Sequence, residues 1–61
     1  MNGVDDYYTP AQIAIALQLN VLTIYNYIKS KQLQAVRFGR SYRVRKTDLD
    51  QFIKSHTTNI V

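Results

Sequence analysis

The residues best equipped for chemistry in this chain are cations, and they are crowded. Arg37, Arg40, Arg43, Arg45 and Lys46 all fall within the ten residues from Arg37 to Lys46, with no acid among them. Cations bunched this way favour a polyanion, because their fields add and contact releases its counterions. A milder role is also open: a solvated cationic strand edge discourages strand-to-strand aggregation. No catalytic set is visible beside them. The chain has no cysteine and a single histidine, His56, so thiolate chemistry is absent and a structural metal site is not expected. No nucleophile, base and orienting group come together, and no glycine-rich loop cradles a phosphate. The carboxylate pair Asp48 and Asp50 belongs to a helix start, and His56 to a helix end, where it serves as a dipole partner or surface group. The expectation is a binding protein, not an enzyme, with no catalytic residues, cofactor, metal or small-molecule ligand.

The layout of charge narrows the partner. The 61 residues carry a formal net charge of +4, and the four acids are Asp5, Asp6, Asp48 and Asp50. Seven of the eight basic residues, from Lys29 to Lys46, lie in the acid-free span between Tyr7 and Thr47, and only Lys54 lies outside it. Segregation of this kind points to nucleic acid. No basic amphipathic helix, membrane-length apolar run or signal-peptide pattern is present, so no membrane partner is expected. Small secreted domains generally need disulfides, so the expected setting is cytoplasmic and nucleoid-associated, in a bacterium or phage.

Several elements must position these cations. Val36, Phe38, Tyr42 and Val44 alternate with Arg37, Arg43 and Arg45, the pattern of a half-buried hairpin bent at Gly39. A three-residue loop, Gly39-Arg40-Ser41, pairs Phe38 with Tyr42 and Val36 with Val44 and keeps the apolar residues on one face. It is preferred to a two-residue loop, which mixes the faces. It also sets Arg37 opposite Arg43, a repulsion that a bound polyanion would relieve.

Upstream, Thr9-Pro10-Ala11-Gln12 carries a capping box with proline at the first helical position, and Tyr8 with Ile13 forms a hydrophobic staple. Ile13, Ala14 and Leu17 give this helix its inward stripe, and Ile15 falls off it. Residues 17–20 read as a short turn, with Asn20 as the cap of a second helix running over residues 21–30. At 100° per residue Val21, Ile24, Tyr25 and Ile28 point inward. Leu22, Thr23, Asn26, Tyr27 and Ser30 point outward with Lys29 on the flank, a face suited to base edges and thymine methyl groups. The alternative is that Leu22 and Tyr27 pack against neighbouring elements. Leu33 folds back on the core. Thr47 caps a third helix, with Asp48 and Asp50 in its first turn and a core stripe of Leu49, Phe52 and Ile53. Residues 1–7 are expected to be a flexible arm, 8–56 one domain, and 57–61 a tail.

Helix, tight turn, helix, basic hairpin, helix is an order with a precedent. Over residues 8–55 the chain resembles the excisionase-like family of small winged helix-turn-helix domains, related to the N-terminal domains of MerR-type regulators. Three blocks carry the resemblance: residues 9–14 followed by Leu17 and Leu19, residues 20–30 ending in Leu33, and residues 35–44 backed by Asp48, Leu49, Phe52 and Ile53. Relatives often have glycine where this chain has Gln18 and Lys31, which either puts a Cβ into a left-handed turn position or changes the turn. Many also place Arg or Lys where this chain has Leu22, Asn26 and Tyr27, so the weight of recognition should move toward the wing.

The resemblance implies a mostly α fold with a small β-hairpin, a winged helix-turn-helix binding double-stranded DNA. Its recognition helix, residues 21–30, would enter the major groove with Leu22, Thr23, Asn26 and Tyr27 at base edges, Lys29 beside them, and the amides near Asn20 at a phosphate. Its wing, residues 35–45, would meet the backbone through Arg37, Ser41, Arg43 and Arg45, with Arg40 at its tip entering a narrow minor groove. An excisionase-like architectural factor, working with a recombinase or with neighbouring copies of itself, is the leading expectation. A transcriptional regulator, or the DNA-binding module of one, is the alternative. A winged-helix module docking an acidic protein partner is the reading from another class.

Overall fold

A computed structural model describes residues 6–58, and the chain runs β1 (Tyr7–Tyr8), α1 (Pro10–Leu17), α2 (Val21–Lys29), β2 (Val36–Phe38), β3 (Ser41–Arg45) and α3 (Lys46–Ser55). The expectations for residues 1–5 and 59–61 lie outside the described residues.

α1 begins where local chemistry requires. The Thr9 hydroxyl accepts the Gln12 amide at 3.0 Å, and the Gln12 side-chain oxygen accepts the Thr9 amide at 2.9 Å. This reciprocal box satisfies two donors that the helix end would otherwise leave without partners. Ile13 and Ala14 are buried, while Ile15 is 79% exposed. Ala11 and Ala16 face solvent, so of the three helix alanines only Ala14 contributes close packing.

Both α1 and α2 end in Schellman motifs without glycine. At the first, the Leu19 amide donates to the Ala14 carbonyl at 2.8 Å and the Gln18 amide to Ile15 at 3.2 Å, with Gln18 at φ 57°. At the second, Gln32 donates to Tyr27 at 3.0 Å and Lys31 to Ile28 at 3.1 Å, with Lys31 at φ 66°. Between these ends Asn20 caps α2, its side-chain oxygen accepting the Leu22 amide at 2.8 Å. The chain turns by 119° from α1 to α2, at the wide end of the range for a helix-turn-helix. No single described helix is long and apolar enough to cross a membrane.

The buried core is Ile13, Ala14, Ile24, Leu33, Val44 and Phe52, one or two residues from each of the three helices, the post-α2 loop and β3. Leu33 folds back as its position suggested, and is 1% exposed. In α3 the stripe is narrower than expected: Phe52 is buried and Leu49 packs on the core, but Ile53 remains 40% exposed.

The sheet corrects three expectations. Its strand order is β1-β3-β2, with β1 antiparallel to β3 through Tyr7↔Arg45 and Tyr8↔Val44. Tyr7 therefore belongs to the sheet and not to an arm. The hairpin register is Val36↔Arg43, Arg37↔Tyr42 and Phe38↔Ser41, which leaves a two-residue loop, Gly39-Arg40, in place of the three-residue loop. Gly39 takes φ 62° while Arg40 stays out of the positive-φ region, as a type II′ turn requires. A three-residue loop would have put the left-handed position at Ser41, where a Cβ is unfavourable. The position of the glycine decides against it.

The third correction concerns α3. It starts at Lys46, so Thr47 lies inside the first turn and Arg45 occupies the cap position with no side-chain cap bond. Strand pairing carries through Arg45, and the Lys46 amide donates to the Asp6 carbonyl at 2.9 Å, so strand passes directly into helix. With three helices and a three-stranded antiparallel sheet, the molecule is a winged helix-turn-helix.

Candidate nucleic-acid interface

On α2, Leu22 is 67% exposed, and Asn26 and Lys29 are exposed with it. These three project away from buried Ile24 and form the outermost strip of the helix. Thr23 is half-buried on one flank. Beyond it Tyr27 turns to the core: its ring meets Phe52 edge-on at 4.9 Å and His56 at 5.5 Å. Tyr27 thus takes the packing alternative and holds α2 to α3. His56 completes that cluster, its Nδ1 lying 2.9 Å from the Phe52 carbonyl.

The opposite flank of α2 faces the wing. Tyr25 meets Tyr42 edge-to-face, ring centroids 6.0 Å apart, and the Arg37 guanidinium lies 5.9 Å from the Tyr42 centroid. Arg37 is held further by donating from Nε to the Gly39 carbonyl at 2.8 Å. The row Tyr25, Tyr42, Arg37 ties the exposed strip of α2 to the wing. Aromatic edge contacts and a cation over a ring add roughly 0.5–1 kcal/mol each, enough to bias a hairpin's position. Where α2 leaves the wing a groove of about 390 Å³ opens, and Lys29, Lys31, Gln34 and Tyr42 are among its lining residues.

The observed register divides the wing's cations. Arg37 shares a face with Tyr42 and Val44, on the α2 side, and Arg40 is exposed at the loop tip. Arg43 and Arg45 lie on the other face with Val36 and Phe38, so the single row of Arg37, Arg43 and Arg45 does not form. Ser41, opposite Phe38, faces the same way as Arg43. The Arg43 guanidinium donates to the Tyr42 carbonyl at 2.9 Å.

Arg45 is engaged: its Nε donates to Asp48 Oδ2 at 2.9 Å. Next to it Lys46 reaches Asp50 at 3.3 Å, and that hydrogen bond, with the charge of Asp50, raises the Lys46 ammonium above its ordinary value. The start of α3 is thus neutralised from within. Among the described residues Lys29, Lys31, Arg37, Arg40 and Arg43 make no ion pair.

Most candidate residues are where their spacing suggested, on α2 and its cap or on the wing, but they do not form one surface. Leu22, Asn26, Lys29 and Arg37 share the α2 side, and Arg40 lies at the wing tip. Asn20 is exposed before them with its side-chain oxygen taken by the Leu22 amide. Sequence reasoning missed Tyr25 and Tyr42 as the bridge, and Lys31 as a wall of the adjoining groove. The signal was present in Gly39: a two-residue loop puts Arg37 beside Tyr42.

A family model described as a helix-turn-helix domain matches residues 7–57, most of the chain. No curated protein and no solved structure matches it.

Proposed function

Because the chain belongs to this helix-turn-helix domain family, we propose that it binds double-stranded DNA as an excisionase-like architectural factor. α2 lies in the major groove, with Asn26 at base edges and Leu22 against thymine methyl groups. Lys29, Lys31, Arg37 and Arg40 take phosphates on either side, Arg40 from the wing tip where a narrow minor groove would attract it. Arg45 is left out because Asp48 already holds it, and Tyr27 because its ring is packed on Phe52.

The observation that carries this reading is the Tyr25–Tyr42–Arg37 row. It joins the exposed strip of α2 to a cationic wing on the same side, as binding across adjacent grooves requires. One domain of this size buries too little surface for tight specific binding alone, so repeated sites, neighbouring copies or a recombinase partner complete the proposal. The experiment is a titration of the chain against labelled duplex at low and rising salt. Four phosphate contacts give a log–log slope of about −3.6, from 0.9 per contact. A complex whose affinity does not respond to salt, or no complex in dilute buffer, refutes the reading.

A further inference from the structure

The face of the sheet turned away from the core is occupied by aromatic rings that the duplex reading leaves unused. Tyr7 is 45% exposed and Phe38 is 58% exposed. The register puts both on this face, on the outer strands β1 and β2, with Arg43 on the central strand between them. A groove of about 340 Å³ runs between, lined by Tyr7, Phe38, Ser41 and Arg43. No acid lines it.

A solvated sheet face ordinarily alternates to polar residues, so two open rings around a guanidinium ask for a partner. That partner must be flat and apolar where it meets the rings and anionic where it meets Arg43. A second copy of the chain would bring its own Arg43 into opposition, which excludes it on charge. Duplex DNA is excluded on shape, because its base faces are covered by stacking. Unpaired bases on a phosphate backbone meet both demands, since rings on a sheet stack bases and a cation between them neutralises the linking phosphates.

We propose that the outer sheet face is a second nucleic-acid site, in which Phe38 and Tyr7 stack the bases of single-stranded DNA and Arg43 holds the backbone. Duplex on the α2 side and single strand on the outer face use different residues.

The test uses the whole chain and two fluorescein-labelled single strands, a thymidine oligomer of about ten nucleotides, within the usual site sizes, and an abasic oligomer of the same length. The thymidine oligomer should bind more tightly than the abasic one. Phe38→Ala should weaken thymidine binding at least about five-fold, the low end for losing one stacked base, and Phe38→Tyr should restore it. Duplex affinity and circular dichroism should not change in either variant. Equal binding of the two oligomers would show attraction to phosphate alone and overturn the proposal. So would unchanged thymidine binding in Phe38→Ala, including the case where that variant alters only self-association in sedimentation.

Discussion

Removing one charge from the wing at Arg37, and separately at Arg43, tests which side of the hairpin meets DNA. Arg37 shares a face with Tyr42 beside α2, and Arg43 projects from the opposite face. Arg37→Gln removes one of four proposed phosphate contacts, so the log–log salt slope should fall from about −3.6 to about −2.7. Between 50 and 200 mM salt the parent should then lose about 150-fold in affinity, and the variant about 40-fold. The loss should be the same for every duplex sequence, since phosphates carry none. Arg43→Gln should keep the parent slope for duplex, its guanidinium being on the far face. The assay is fluorescence anisotropy with one duplex at several salt concentrations, with melting curves to confirm folding. Losing the cation over Tyr42 should lower stability by only about 0.5–1 kcal/mol. A slope reduced by Arg43→Gln and untouched by Arg37→Gln would mean that the wing meets duplex through its outer face. The Tyr25–Tyr42–Arg37 row would then have no part in binding.

The remaining expectations separate readout from architecture. Asn26→Ala should change the ranking among duplex sequences by about 1–3 kcal/mol at the affected base pair and leave the salt slope intact, as checked by competition with variant duplexes. Tyr27→Phe should keep duplex affinity and sequence preference, because the ring packs on Phe52 and His56; altered preference would return Tyr27 to the base-reading face. Gln18→Gly should stabilise the fold by about 1 kcal/mol, relieving a Cβ at φ 57°, which for a domain this small raises the melting temperature by about 4–8 °C. Gly39→Ala should cost about 1–3 kcal/mol through the backbone alone, since an added Cβ at φ 62° meets nothing within 4 Å.

What was legible in the sequence was local. Thr9 and Gln12 satisfy each other three residues apart, Asn20 caps two residues ahead, and Gln18 and Lys31 take the left-handed positions their turns impose. None of these needs a distant partner. The hairpin register needed more than alternation. Grouping Val36 and Phe38 with Tyr42 and Val44 maximises an apolar face, but the turn obeys Gly39, and two β2 residues are displaced to the outside as a result. β1 is only Tyr7–Tyr8, too short for any periodicity, and exists because β3 offers it an edge far along the chain. Tyr25 and Tyr27 were sorted by helix angle alone. Which flank of α2 meets the wing and which meets α3 depends on where those elements lie, and that is a tertiary fact.

The same contacts explain how so small a core holds a recognition helix steady. α2 contributes one fully buried side chain, Ile24, which can act as a pivot but does not by itself set the helix's roll or tilt. Roll is set from the two flanks, by Tyr27 against Phe52 and by Tyr25 against Tyr42. Tilt is set from the ends, where Gln18 and Lys31 accept left-handed backbone so that each preceding helix end can close its carbonyls with two hydrogen bonds. Those turns are costly for residues with a Cβ, and a costly conformation persists only where its surroundings over-determine it. Here the surroundings are Leu19 and Leu33, which follow the two turns at once: Leu33 is 1% exposed in the core, while Leu19, 43% exposed, edges the surface beside Phe52 and His56. The orientation of Leu22 and Asn26 is thus governed from outside the exposed strip, by residues that need never touch DNA.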